Sequence, residues 1–209
     1  MKVFVFDTET SGLPDTGNPS IYKTFSWPYI IQLSYIIYDS DTNHIWALED
    51  DYINIDLALH MSAESVEIHK ITREQLDKGI SIVEALEKFN NYAKQCDVMV
   101  AHNVSFDKRM IMVEGVRNKI KMNIHNTYCT MKNSADICKI ERTWDNGDKY
   151  FKYPKLSELY YELFKMIPKN THNALIDILL CMRCYCKIEL NIDISSINRT
   201  IRLMLKETH

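Results

Sequence analysis

Two carboxylates one residue apart, Asp7 and Glu9, follow the apolar run "KVFVF" at the start of the chain. In a strand, residues i and i+2 share a face. Like charges set together at the end of a buried strand repel each other and lose hydration, so the pair needs a cation or a proton. Two more acids stand near the starts of later elements. Asp107 lies in the helical stretch after "VMVAHN", and Asp177 sits one turn into the apolar helix opened by "THNALID", with His172 just before it. Paired divalent ions about 3.5–4 Å apart are held by hard oxygen donors and can clamp the attacking and leaving oxygens of a phosphodiester. Four acids from three elements could hold such ions, and a nearby histidine could take a proton from the attacking water. Each group also has a plain structural reading. The helix dipole favours Asp107 by ~0.3–1 kcal/mol. Asp177 could be a solvated position, although its neighbours "ALI" and "ILL" are apolar, and His172 alone would be a loop histidine. Asp7 with Glu9 is the pair these readings explain least.

The bulk properties narrow the class. The chain has 209 residues, 46% apolar and 25% charged, which suits one soluble domain with a sizeable core. No apolar run approaches the ~20 residues of a membrane span. The N-terminus has one Lys, a very short apolar stretch and then acids, unlike a signal peptide. An intracellular protein, cytoplasmic or nuclear, with no membrane partner is expected. A net charge of −3 argues against coating long duplex DNA through a basic face, and leaves room for an acidic site whose sign bound cations reverse. Of six cysteines, Cys181, Cys184 and Cys186 cluster in "CMRCYC". They lie inside a helical pattern with no second pair elsewhere, which favours buried free thiols over a zinc site or a disulfide.

The elements that must carry these residues can be read in order. "VFVF" (3–6) is a short strand buried on both faces, and 12–29 is a loop. Strands at 29–39 and 44–54 complete a meander. "SAESVEIHK" opens with an imperfect capping box at Ser62, and "TREQLDKG" has a clean one, Thr72 with Gln75, and Gly79 as its stop. Helical spacing follows at 81–96, a strand at 98–103, and a helix at 105–116 with Ser105 as N-cap. A strand end and short helix are expected within 127–137, then helices at 155–164 and 173–190, the last capped by Asn173. The order implies a mixed sheet with helices packed on it. The tail, 191–209, is modestly amphipathic.

With the residues set out, "FDTETSGLP", "AHNVSFDKRMI" and "HNALIDILL" resemble the three exonuclease motifs of the DEDDh class of 3′–5′ exonucleases, which includes the proofreading subunit of bacterial replicative polymerases and ribonuclease T. The His-x4-Asp spacing separates this type from relatives that use Tyr. "VEIHKIT" (66–72) and "YPKLSELYYELF" (153–164) are similar to further stretches of the class, and "WPYIIQLSYIIYD" to the second strand of a subgroup. Lys70 and Asn173 depart from common residues without touching the acids. The resemblance covers most of residues 1–187. It implies an α/β, ribonuclease H-like mixed sheet flanked by helices, as one domain over 1–190.

The resemblance also implies roles. Asp7, Glu9, Asp107 and Asp177 would hold two divalent cations, Mg2+ with Mn2+ as substitute, and His172 would be the general base. Thr8, Thr10 and Leu13 would hold and wedge the terminal nucleotide, His102, Asn103 and Phe106 would line the substrate strand, and His69 would edge the pocket. Base stacking on an aromatic tolerates any sequence. The expected reaction is metal-dependent hydrolysis from the 3′ end of single-stranded nucleic acid, DNA favoured, to nucleoside 5′-monophosphates. A ribonuclease or short-oligonucleotide hydrolase of the same mechanism is the alternative, and a non-catalytic nucleic-acid-binding protein the remote one, since such proteins usually lose an acid. Single-stranded DNA or RNA 3′ ends are the expected partners, with a polymerase or repair protein for any proofreading role. Because a histidine base must be neutral, activity should rise with pH through the region of an ordinary imidazole pKa, ~6.5.

Overall fold

The computed structural model describes residues 1–15, 18–56, 59 and 61–206. Residues 16–17, inside the loop expected at 12–29, and 207–209, at the end of the tail, lie outside the described residues. Strands β1 (Lys2–Thr10), β2 (Ile30–Asp39) and β3 (His44–Tyr52) form the antiparallel meander. Helices α1 (Ala63–His69), α2 (Arg73–Asp77) and α3 (Ile82–Ala93) lead to β4 (Val98–Ala101), which pairs parallel to β1. Helix α4 (Val104–Arg117) then leads to β5 (Thr127–Cys129), parallel to β4. The five-stranded sheet runs β3-β2-β1-β4-β5. The chain continues through α5 (Ala135–Cys138), a separate hairpin of β6 (Glu141–Thr143) and β7 (Lys149–Phe151), α6 (Leu156–Phe164), α7 (Ala174–Glu189), α8 (Ile194–Ile197) and α9 (Arg199–Lys206). This is the mixed sheet flanked by helices that the sequence implied.

Strand alternation sorts the core into two layers. Phe4 and Phe6 pack with Tyr35, Phe89 of α3 and Met110 of α4 on one face. Val3 and Val5 pack with Leu159 and Tyr160 of α6 and Ile178 and Met182 of α7 on the other. Extending that alternation along β1 puts Asp7 and Glu9 on the α7 side and Thr8 on the α4 side. Strand β4 pairs with β1 only as far as Val5, so the last residues of β1 overlook a crevice at the carboxyl end of the central strands. Ligands of α/β sheets bind in such crevices.

The caps explain where helices start. Ser62 accepts from the Ser65 N–H, and Thr72 and Gln75 form the reciprocal box. Helix α4 begins one residue before the expected point: its N-cap is Asn103, left-handed at φ 71°, not Ser105. Asn tolerates that backbone better than most residues. Gly79 follows α2, but its role is close approach. A Cβ there would lie 2.4 Å from the Tyr52 carbonyl oxygen at the end of β3. The tail residues pack: Ile194, Ile201 and Leu205 are buried against the α7 layer, and Asp193 takes a two-point ion pair from Arg183 at 2.8 Å each. Cys181, Cys184 and Cys186 are buried free thiols, and burial pushes each thiol up. Among the described residues no helix is long and apolar enough to cross a membrane.

Candidate active site

Ligand oxygens of Asp7, Glu9 and Asp177 lie within 4.8 Å of one another. Three forces set this up. Strand β1 presents Asp7 and Glu9 on one face, and Asn173 caps α7 by accepting from the Ile176 N–H. The first turn of α7 then brings Asp177 toward them. Its Oδ2 accepts from the His172 N–H at 3.1 Å, while its Oδ1 is buried without a hydrogen-bond partner. An orphaned carboxylate oxygen is rare in a folded protein and calls for an ion or water.

Asp107 reaches the same place from the opposite side of β1. Its Oδ1 accepts from the Thr8 N–H at 3.1 Å and the Thr8 hydroxyl at 2.9 Å. Asp107 is therefore beside the cluster of three rather than within it, and the Thr8 hydroxyl is committed to it. The acids perturb one another. Burial, then the charges of Asp107, Asp177 and Glu9, hold the Asp7 carboxyl well above the usual range. Burial, with Asp177 and Asp107, pushes Glu9 up to about 8. Asp107 and Asp177 are each pushed up to about 7, chiefly by burial, against the Thr8 and His172 hydrogen bonds that favour the ionised forms. Four carboxyls in this state hold protons or bind cations. All offer hard oxygen donors, the chemistry that magnesium or manganese takes. The site fits a divalent metal centre.

The acids open onto a cleft of about 580 Å³ that Asp7, Asp177, His172, His102, Asn103 and Phe106 help to line. A neighbouring pocket of about 340 Å³ is lined by Thr8, Glu9, Thr10 and His69, and both share Leu13 and Phe106. All the residues expected to touch substrate thus lie on these two hollows. Leu13 is 79% exposed, an apolar side chain held out between them. The Thr10 hydroxyl donates to the Gly12 carbonyl at 2.8 Å and shapes the turn that carries Leu13. His172 is exposed at the rim, in a left-handed conformation at φ 69°.

The other two histidines differ from His172. His102 Nε2 faces the Pro154 carbonyl at 3.0 Å, so that nitrogen carries the proton, and Nδ1 accepts from the Thr130 hydroxyl at 3.0 Å. Burial pushes it down to about 4. It lines the cleft with its ring and ties β4 to the Pro154 segment. His69 Nδ1 accepts from the Ile71 N–H at 2.9 Å, leaving its buried Nε2 as a donor with no partner.

A second set of residues, not singled out in the sequence, positions α7. Gln32 and Ser34 on β2 are fully buried and donate to Asp50 Oδ1 of β3 at 2.7 and 2.6 Å. Gln32 Oε1 in turn accepts from the Ala174 N–H at 3.3 Å, at the start of α7. The available signal was the polar pair at i and i+2 within the apolar strand "YIIQLSYIIYD".

The chain is similar to known exonucleases in sequence and in fold. An exonuclease family model, RNase_T, matches residues 4–185. DNA polymerase III PolC-type from Mycoplasmopsis pulmonis is 24% identical over 137 residues, which are 57% of this chain and a tenth of that protein's length. The nuclease domain of 3′hExo, a DEDDh family member solved bound to rAMP, superimposes with a TM-score of 0.62 at 16% identity, covering 92% of this chain and 93% of that one. Escherichia coli Exonuclease I in complex with a dT13 oligonucleotide gives 0.65 at 15% identity, over 91% of this chain and 42% of the other. The last two likenesses concern the fold, whereas the family match spans nearly the whole sheet and all four acids. The chain belongs to the RNase_T exonuclease family.

Proposed function

We propose that the protein is a metal-dependent 3′–5′ exonuclease that releases nucleoside 5′-monophosphates from single-stranded nucleic acid. The observation that carries this reading is the cluster of Asp7, Glu9 and Asp177 with an orphaned oxygen on Asp177, at the mouth of a cleft. Asp7, Glu9, Asp107 and Asp177 hold two divalent cations, magnesium with manganese as substitute. When bound, these neutralise the carboxylates and stabilise the charge of the phosphodiester under attack. The chain's own groups do the rest. Thr8 holds the Asp107 carboxylate in place, and the Thr10 turn presents Leu13 as a wedge beside the terminal nucleotide. Phe106 offers a face for a base or sugar, Asn103 and the His102 ring line the strand's path, and the free His69 Nε2 donates into the inner pocket. His172, exposed at the rim, takes the proton from the attacking water. The water oxygen bonds to phosphorus as the phosphorus–O3′ bond breaks, the departing O3′ takes a proton from solvent, and the shortened strand leaves with a 3′-hydroxyl.

DNA is the favoured substrate. A ribonuclease or short-oligonucleotide hydrolase would use the same chemistry, and solved neighbours were captured with both a deoxythymidine oligonucleotide and rAMP. A polymerase partner is suggested by the PolC-type relative. Matched DNA, RNA and dinucleotide substrates, digested side by side, test the substrate. Turnover of RNA well above DNA would reverse the preference stated here.

A further inference from the structure

The β6–β7 hairpin has no part in the site above, yet it is built from aromatics and cations. Residues 139–155 contain five Lys or Arg against three Asp or Glu, in a chain whose net charge is −3. Trp144 and Tyr150 stack at 4.1 Å and 20°. Arg142 lies directly opposite Tyr150 in the ladder, so it shares their face. It is exposed and has no ion-pair partner among the described residues. Trp144 remains 56% exposed despite its stack, and Phe151 and Tyr153 are 42% and 55% exposed.

A two-stranded hairpin needs side-chain pairing to be stable, and the Trp144–Tyr150 stack serves that need. It does not account for exposed Phe151 and Tyr153, or for the open cations Arg142 and Lys155. Continuity points to their purpose. The chain leaves β7 and within four residues reaches Tyr153, Pro154 and Lys155, which line the same cleft as Asp7, His172 and Asp177. The bond from His102 to the Pro154 carbonyl anchors that junction to β4.

We propose that the hairpin is a binding platform for the single strand on the 5′ side of the terminal nucleotide. Bases stack on Tyr153 and the open face of Trp144, and Lys155 and Arg142 meet the phosphates. Aromatic faces with interleaved cations hold single strands without sequence preference, at site sizes of ~4 nucleotides and more. The inference rests on the exonuclease reading, because that reading places the 3′ end among the acids.

Binding tests it apart from turnover. The probe is a labelled 15-nucleotide single strand against a trinucleotide, with Asp7→Asn protein to prevent digestion. Trp144→Ala, Arg142→Gln and Tyr153→Ala are each expected to weaken 15-mer binding by about tenfold and trinucleotide binding far less. Arg142→Gln should also flatten the salt dependence of 15-mer binding by about 0.7 in log–log slope. Tyr153 lies outside both strands and Gln keeps the length of Arg, so these two variants read binding even where Trp144→Ala unfolds the hairpin. Unchanged 15-mer affinity and salt slope in both would overturn the platform, as expected if the hairpin instead docks a protein. Should the unmodified protein cut no substrate, the exonuclease reading has failed, and the binding series still decides the platform.

Discussion

Asp177 accepts one hydrogen bond and leaves one oxygen bare, and Glu9 is pushed up to about 8 among like charges. Both facts have measurable results. The folded-state pKa values of Glu9, Asp107 and Asp177 lie above those of an unfolded chain, so protons stabilise the metal-free fold. That contribution is complete below about pH 4 and is lost as pH rises through 7–8. Glu9→Gln should therefore raise the melting temperature of the metal-free protein at pH 8.5, by about 0.5–2 kcal/mol equivalent or several degrees, and change it little at pH 5.5. Thermal melts at the two pH values check this. Magnesium should stabilise the unmodified protein more at pH 8.5 than at 5.5, since binding must displace the same protons. His172 makes a different prediction. Replacing it with Ala should slow turnover by ~10²–10⁴-fold, while calorimetry still detects cation binding. The pair at 7 and 9 was legible because strand periodicity alone puts them on one face. The role of His102 was not, because its hydrogen bonds join residues that only the fold brings together, Thr130 and Pro154; nor was the burial that leaves His69 Nε2 without a partner.

At the scale of elements, the site depends on where α7 starts. Its first N–H groups are held by Asn173 and by Gln32, itself fixed through Asp50. Gln32→Met would leave the buried Ala174 N–H without its partner and Asp50 with Ser34 alone. A loss of ~1–3 kcal/mol is expected, together with a lower kcat, because His172 and Asp177 flank that helix start. Melting and steady-state rates on one preparation check both. A stability loss with kcat intact would show that α7 is positioned by other contacts. The long apolar helices and the β1–β2–β3 meander were readable from period and turn chemistry. The β6–β7 hairpin was not, since strands of three residues, none of them buried, are too short to show hydrophobic alternation. The N-cap of α4 was misread by two residues because Ser105 and Asn103 are equally good caps by type, and only the fold shows that a left-handed Asn103 turns the chain from β4 into the helix.

Across the whole molecule, the sheet works as a partition. Aromatic packing of Phe4, Phe6, Tyr35 and Phe89 fixes one side of β1, and the α6–α7 layer fixes the other. Acids from both sides meet only where β1 outruns β4. That convergence explains why no single motif identifies the centre and why the four acids together do. The central claim is that this centre removes nucleotides from 3′ ends with the help of divalent cations. The most direct measurement is digestion of one single-stranded oligonucleotide, labelled separately at each end, with magnesium, with manganese and with a chelator. Mass spectrometry identifies the first product. The account predicts that the 3′ label leaves first, as a nucleoside 5′-monophosphate, that the chelator abolishes release, and that Asp7→Asn and Asp177→Ala do the same. Release from the 5′ end, or full activity in the chelator or in either variant, would contradict it.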